Sequence, residues 1–541
     1  MKVAILDGFV DEPSNFGVPP FLSPYPRYAA GAVRGAGHDW EYVTIEDVRK
    51  GRPFSGDVLA IISGPIVPGK YLRGMPISEK ELLHHAANWD GVKVLGGPLA
   101  RFRYYDENLI DSFDFIAIRD LDAALHDYLT TGEFRNRDRT MEEWDWWALL
   151  GADVIRSHPD YPEPLILELD TSKGCVRYLN GGCSFCIEPM YGVPKFRPVE
   201  TVLAEVRRLA ELGAVNFRLG GQADFFSYLA DGVGQSLTPR PNVPALHRLL
   251  AGIREAAPNL KVLHTDNGDP VMMVAHPEEA MAGLRLLRRY ATPGTILSFG
   301  LETADPMVTE ANNLNIDAEG CLEAIRMVNE VGRERGPNGM PWILPGLNFV
   351  TGLDGETPET FERNLEFLRR VLAADLWVRR INIRQVRPVR REFVPLEHHH
   401  LFRRFKERVR AEIDHEMLSR VVPTGTVLRD VYLEIAEGHL TLGRQIGTYG
   451  LLVGVPYDLP RERFVDVKVT DHGQRSLTAV EYPFDVNAAS LRAIACLPGI
   501  GEKRAARIVR ARPFASQAAL AAALDDPAVA DRVAAYVGLA D

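Results

Sequence analysis

The sequence predicts an α/β protein built on a parallel βα barrel, with a doubly wound α/β domain before it and a small β-barrel and helical tail after it. Three observations carry this. Between 160 and 395, apolar strand-like runs near 165–170, 215–219, 261–265, 296–301, 343–350 and 380–386 alternate with helical stretches, the pattern of parallel βα units. Residues 1–150 show a similar alternation in shorter form, and beyond 420 short strands separated by glycine turns replace it. A chain of 541 residues with 46% hydrophobic composition is long enough for three to four domains, each with its own core.

The first domain opens on Met1-Lys-Val-Ala-Ile-Leu-Asp7-Gly8. The runs Val58–Gly64, Val92–Gly97 and Asp114–Ile118 follow, with helices between them. This is a doubly wound, Rossmann-like unit over 1–150. No Gly-x-Gly-x-x-Gly opens the helix after the first strand, so the run is not a dinucleotide fingerprint.

The first barrel strand ends in a cysteine cluster, Cys175, Cys183 and Cys186, with every other cysteine far downstream. A [4Fe-4S] cube needs an outer ligand on each of four irons, and three cysteines on one loop would leave one iron open to a substrate or cofactor. A structural zinc site takes four protein ligands, and the nearest candidates, His158 and His264, are poorly spaced. A disulfide is disfavoured because five cysteines in a chain whose start is interrupted by Asp7 read as reducing and cytoplasmic. No apolar run approaches the length of a membrane span.

The string Cys183-Ser184-Phe185-Cys186 resembles the Cys-x-aromatic-Cys signature of radical S-adenosylmethionine (radical SAM) enzymes. Here seven residues separate Cys175 from Cys183 where the family usually has three, with Gly181 and Gly182 permitting a tight return. The resemblance implies a partial (β/α)6 TIM-like barrel over 160–395, a [4Fe-4S] cluster on Cys175, Cys183 and Cys186, and SAM held at the strand ends. Phe185 lies within that signature. After the second strand, Gly220-Gly221-Gln222 stands where the family has Gly-Gly-Glu contacting the methionyl amine. Asp266 and Asn267 follow the third strand, Gly300-Leu-Glu302 looks like the family's Gly-x-Glu-Ser element, Asn348 precedes a Gly-Glu-Thr loop, and Arg384 marks the sixth strand. Each has a structural alternative as a turn, cap or solvated edge residue; their order, one per strand end, favours the cofactor reading. By the resemblance, an external one-electron reductant is also required, and the 5'-deoxyadenosyl radical formed from SAM abstracts a substrate hydrogen. The hydrogen abstracted and the residues that guide it are unknown from sequence.

The first domain is similar to those preceding the barrel in cobalamin-dependent radical SAM enzymes and methylthiotransferases. Residues 1–150 lack the cobalt-ligating Asp-x-His-x-x-Gly, although base-off cobalamin binding occurs without it, and no cysteine precedes Cys175 to hold a second cluster. Past a charged helical connector at 396–420, whose histidines 398–400 read as solvated, residues 421–482 resemble a TRAM-type RNA-binding β-barrel. In the tail, 487–541, Leu497-Pro-Gly499-Ile-Gly501 between two helices resembles a helix-hairpin-helix motif. Its glycines would let backbone N–H groups reach a phosphate, with Lys503, Arg504 and Arg507 beside them. Between 490 and 512 six basic residues face Glu502 alone, a local charge of +5 within a chain of net charge −11. Nucleic-acid contact is therefore expected locally rather than over the whole surface. The leading expectation is a radical SAM enzyme acting on RNA, tRNA above all. The alternatives are a protein or small-molecule substrate with the tail as a docking element, and a nucleic-acid-binding protein whose cluster is structural or redox-sensing.

Overall fold

The computed structural model describes residues 1–10, 17–66, 71–102, 107–393 and 399–539. The start of the connector at 396 falls outside them, as do His398 and the end of the tail at 540–541. The chain divides into two compact units. Unit 1 is Met1–Thr292 with Glu310–Asn315 and Val386–Val394, and unit 2 is Pro293–Thr309, Ile316–Gln385 and Pro395–Asp541.

Unit 1 opens with a five-stranded parallel sheet of β1 (Lys2–Asp7), β2 (Asp39–Thr44), β3 (Val58–Ile62), β4 (Val92–Gly96) and β5 (Phe115–Ile116), in the order β2-β1-β3-β4-β5. Strands β1 and β3 are buried on both faces, which is why they read as unbroken apolar runs. The order is the flavodoxin-like version of the doubly wound fold, with its switch point between β1 and β3. Strand β2 was not among the expected strands: Asp39 is exposed and Glu41 half-buried, so its alternation hides an edge strand.

A second parallel sheet in unit 1 holds β6 (Ile166–Asp170), β7 (Asn216–Gly220) and β8 (Val262–His264), with Phe21–Leu22 added beside β6. The helix Val199–Glu211 between β6 and β7 presents Val199, Val202, Val206 and Leu209 to the core at helical spacing, and with them the fully buried Glu205. Unit 2 holds a parallel sheet of β9 (Thr295–Glu302), β10 (Ile343–Thr351) and β11 (Arg380–Gln385). The six strands expected from the sequence thus appear within a residue or two of their places, three in each unit.

Unit 2 continues through His399–Val409, a π-helical turn at Arg410–Asp414 and the helix His415–Val421. Then β12 (Val427–Glu437), β13 (Leu440–Gln445), β14 (Leu452–Val455), β15 (Arg463–His472) and β16 (Ser476–Glu481) close a barrel in the order β12-β13-β14-β16-β15. Closure removes the unpaired edges that a five-stranded sheet would expose. The tail consists of helices Leu491–Ala495, Glu502–Ala511, Gln517–Ala522 and Pro527–Ala534. Among the described residues no helix is long and apolar enough to cross a membrane.

Candidate active site

The cysteine loop leaves β6 through Thr171–Gly174 and turns at Cys175 into the 3-10 helix Val176–Asn180. Hydrogen bonds from three directions fix its path. Arg390 donates through one nitrogen to the carbonyls of Gly181 (2.8 Å), Cys183 (2.9 Å) and Cys186 (3.3 Å). The Ser184 N–H donates to the Asn312 carbonyl (3.0 Å), and its hydroxyl to Asn312 Oδ1 (2.8 Å). Asn313, in the left-handed region at φ 49°, donates to the carbonyls of Asn180 (3.1 Å) and Gly182 (2.9 Å). These clamps were not anticipated. A left-handed Asn in the Asn312-Asn313 pair is their one sequence-level trace, whereas the arginine lies 204–209 residues from the carbonyls it holds.

None of the five cysteines is in a disulfide. Burial pushes the Cys175 thiol up to about 12 and raises Cys186 as well; Cys183 adds to the rise at Cys175, and Cys183 and Cys175 add to that at Cys186. The buried Arg177 guanidinium donates to Cys183 Sγ at 3.1 Å and to Asn313 Oδ1 at 3.1 Å, so the loop carries a cation against the developing thiolate. Among the described residues no three His, Cys, Asp or Glu side chains converge on a single metal ion. A cube asks for a different arrangement, because its outer ligands bind separate irons. Three thiols outside any disulfide, on one clamped loop beside a buried guanidinium, fit that donor set.

At the end of β7, a Cβ on Gly220 would stand 2.0 Å from Glu168 Oε1. One on Gly221, at φ +62°, would stand 2.1 Å from Asp170 Oδ1. The positive φ makes Gly221 a requirement of the turn, and Gly220 leaves room for the Glu168 side chain against the backbone. Gln222 is buried and engaged within the protein. It accepts from the Thr171 hydroxyl (2.7 Å) and donates to Thr265 Oγ1 (3.3 Å), while Asn267 donates to its carbonyl (2.9 Å). Asp266 pairs with buried Arg218 at 2.5 Å. Beyond them Asp224 and Asp269, which the sequence reading left aside, form a buried carboxyl pair: the Asp269 N–H donates to Asp224 Oδ1 (2.7 Å), and Asn315 donates to both Asp269 oxygens. Burial, and then Asp269, pushes Asp224 up to about 8. Phe185 is half-buried between its cysteines.

In unit 2, β9 breaks register between Phe299 and Glu302, and Glu302 sits at φ 64°. Its carboxylate folds back so that a Cβ on Gly300 would meet Oε1 at 2.8 Å, and Oε2 is buried with no hydrogen-bond partner. A strained residue with an orphaned buried oxygen is a signature of a binding position. Burial pushes Glu302 up to about 8, and Arg384 opposes this. Asn348 accepts from Asn382 at 2.8 Å on the neighbouring strand. A carboxyl raised by folding takes up its proton in the folded state first, so it costs stability increasingly as pH climbs from about 4.5 to 8 and costs nothing below that window. Glu302→Gln is therefore expected to melt higher than wild type at pH 9, by about 2–4 kcal/mol, with the gap closing near pH 5. Thermal or urea melts at the two pH values check this; equal melting at pH 9 would refute it.

In the first domain, the carboxyl ends of β1 and β3 close over each other. The Gly8 N–H donates to the Ile62 carbonyl (2.8 Å), Gly64 to Phe9 (3.1 Å) and Ile77 to Gly8 (2.9 Å). Phe9 is buried, and a Cβ on Gly8 would lie 2.4 Å from the Ile77 side chain. Residues 1–150 hold no Asp-x-His-x-x-Gly, so cobalamin would bind in this domain only without that histidine on cobalt.

In the tail, Gly499 takes φ +80° in the hairpin and Gly501 caps the helix Glu502–Ala511 facing open space, with Lys503 exposed beside it. Arg504 and Arg507 are partly spent on Asp525, at 2.8 and 3.4 Å. The local +5 counted along the sequence is therefore offset by acids that fold back from further down the chain.

The Radical SAM superfamily profile matches residues 171–368. An uncharacterized protein of Methanocaldococcus jannaschii is 42% identical over 506 residues, 88% of this chain and 92% of that one. The tRNA-2-methylthio-N(6)-dimethylallyladenosine synthase of Rickettsia rickettsii (strain Sheila Smith) is 26% identical over 215 residues, covering 39% of this chain and 42% of that one. Among solved structures, the radical S-adenosylmethionine methyltransferase TsrM from Kitasatospora setae is matched at 14% identity and a TM-score of 0.46, over 71% of this chain and 72% of that one. With its profile match beginning at the residue that leads β6 into the clamped cysteine loop, the chain belongs to the radical SAM superfamily of enzymes.

Proposed function

We propose that this radical SAM enzyme modifies RNA, with tRNA as the substrate class. The observation that carries the reading is one chain joining the radical SAM domain to a closed five-stranded β-barrel and a glycine-hinged helical hairpin that exposes Lys503. The partial similarity to a tRNA-modifying enzyme supports it.

Superfamily membership implies a [4Fe-4S] cluster, SAM and an electron donor. When bound, the cluster and SAM supply a carbon radical able to remove an unactivated hydrogen. The chain's part is to hold and to exclude. Cys175, Cys183 and Cys186 are assigned to the cluster, their loop fixed by Arg390 and Asn312. The sequence resemblance assigns Phe185, Gly220, Gly221, Gln222, Asp266, Asn267, Gly300, Glu302, Asn348 and Arg384 to SAM. The approach of the Glu168 and Asp170 carboxylates to Gly220 and Gly221 suits a ligand amine, and Glu302 Oε2 lacks a partner that a ligand donor would provide. The same Glu302→Gln variant that gains stability should therefore lose SAM affinity. In the tail, Gly499 and Gly501 would bring backbone N–H groups to a phosphate, with Lys503, Arg504 and Arg507 around it.

The expected result with reconstituted protein is binding to a bulk tRNA pool that weakens by about tenfold to a hundredfold between 50 and 200 mM salt, as for a handful of phosphate contacts. Removing residues 487–541 should reduce that binding while leaving SAM cleavage intact. No binding, or binding indifferent to salt, would sink the RNA reading and leave a protein or small-molecule substrate.

A further inference from the structure

A cleft lies in unit 2 beside the start of β11. Arg379 and Ile381 line one side, Asp414 and Met417 another, and Leu451 and Arg475 of the β-barrel loops a third. None of these residues belongs to the cysteine loop or the assigned SAM positions, and the hairpin of the tail is elsewhere in the sequence.

The charge balance of the cleft is unusual. Arg379 feels Arg475, Arg475 feels Arg410, Lys406 feels both Arg410 and Arg475, and Asp414 is the carboxylate that feels Arg379, Arg410 and Arg475 among the described residues. The pairing is loose: Arg475 Nε stands 3.8 Å from Asp414 Oδ2. Burial, then Arg475 and Arg380, drives Arg379 down to about 9, far below the range in which a guanidinium normally stays charged. Gathering like charges in a partly desolvated cleft is costly unless an anion completes the group.

The cations are also held in place. Arg379 donates to the Tyr449 carbonyl at 3.0 Å, the Arg380 guanidinium lies 3.4 Å from the centre of the Tyr449 ring, and Tyr449 itself sits at φ 57°, a costly conformation for an aromatic residue. Arg410 and Asp414 bracket the π-helical turn Arg410–Asp414 inside an otherwise α-helical segment, and such single turns concentrate at functional positions. A preformed group of planar forks suits an anion with several acceptor oxygens and more than one charge.

We infer that this cleft is a binding site for a phosphate group and, resting on the RNA reading above, that the phosphate belongs to the backbone of bound RNA. A free phosphorylated ligand shares the chemistry, so the test must separate the two sources.

The experiment uses the full-length reconstituted protein, with inorganic phosphate as the first probe and bulk tRNA as the second. Phosphate is expected to bind wild type and raise its melting temperature beyond the effect of chloride at equal ionic strength. Arg475→Gln should bind phosphate at least tenfold more weakly. Because Arg475 is partly exposed and repelled by its neighbours, this variant should melt no lower than wild type in phosphate-free buffer, which a merely structural role would not allow. With tRNA, the slope of log affinity against log salt should fall by about 0.7–0.9 in Arg475→Gln, one phosphate contact. Phosphate affinity unchanged in both Arg475→Gln and Arg379→Gln overturns the site. Phosphate binding lost with an unchanged tRNA slope overturns the RNA source and assigns the cleft to a free phosphorylated ligand. Phosphate binding lost in a protein that never binds tRNA upholds the cleft and sinks the RNA reading.

Discussion

Cys183→Ala, reconstituted anaerobically, reduced with dithionite and given SAM, is expected to form no 5'-deoxyadenosine above background, whereas wild type forms it. Cys183 occupies the tightest point of the loop. Its carbonyl accepts from Arg390, its sulfur accepts from Arg177 at 3.1 Å, and the next residue is tied twice to Asn312. Alanine removes one of three thiolates and the sulfur to which the buried Arg177 guanidinium donates, so both cluster retention and the hydrogen bonding of the loop suffer together. Iron content and the visible absorption of the cluster should fall with activity. Cys496→Ala, in the tail, is the matched control, and it should retain both cluster and product. Deoxyadenosine from Cys183→Ala would refute the ligand assignment. A wild type with a full, reducible cluster and no product, once a strict substrate requirement is excluded, would move the reading to a structural or redox-sensing cluster.

The strands were legible because parallel strands buried on two faces are written as unbroken apolar runs, and the polar residues after them mark the strand ends. Thus Gly220, Gly221 and Glu302 could be picked from sequence, and the structure supplies physical reasons for them in two close approaches and one strained, orphaned carboxylate. Gln222 was equally visible as a residue, but not its engagement with Thr171 and Thr265, which depends on three strand ends meeting. Strand β2 escaped because a half-buried edge strand carries charges at alternate positions. The clamps on the cysteine loop escaped for a different reason: Arg390 and Asn312 act on it from 128 or more residues away, and no local pattern encodes a partner at that distance. The tail shows the converse error of counting charge along the chain, since Asp525 returns in space to Arg504 and Arg507.

Glu205→Ala is expected to cost about 3–5 kcal/mol of stability, among the largest effects of any single substitution in unit 1. Glu205 lies on the apolar stripe of helix Val199–Glu211, where a leucine would ordinarily stand, and it is fully buried between Arg27 (3.0 Å) and Arg197 (2.6 Å), whose side chains are also inaccessible. Burial alone would raise its carboxyl, but Arg197 and Arg27 outweigh this and hold it below the usual range, so its contribution is present at neutral pH and fades as pH falls through that lowered value. Alanine takes the paired carboxylate from Arg27 and leaves Arg197 with Asp145 (2.8 Å), and Glu205→Gln, which keeps the shape, should lose most of the same stability. Replacing Arg27, Glu205 and Arg197 together with apolar residues of similar volume should recover much of the loss, because a buried ion triad and a packed apolar cluster are close in free energy. Yet the triple variant should not recover function. Arg27 also donates to the carbonyl of Glu168 (2.5 Å) and Arg197 to that of Asp170 (3.3 Å), and these are the last turns of β6 before the chain enters the cysteine loop. Denaturant melts and iron content measured on the same preparations separate the two effects: a triple variant that is stable and retains the full cluster would show the triad to be a packing element alone, whereas one that is stable but poor in iron would show that its charges hold β6 in the position from which the cluster is gripped.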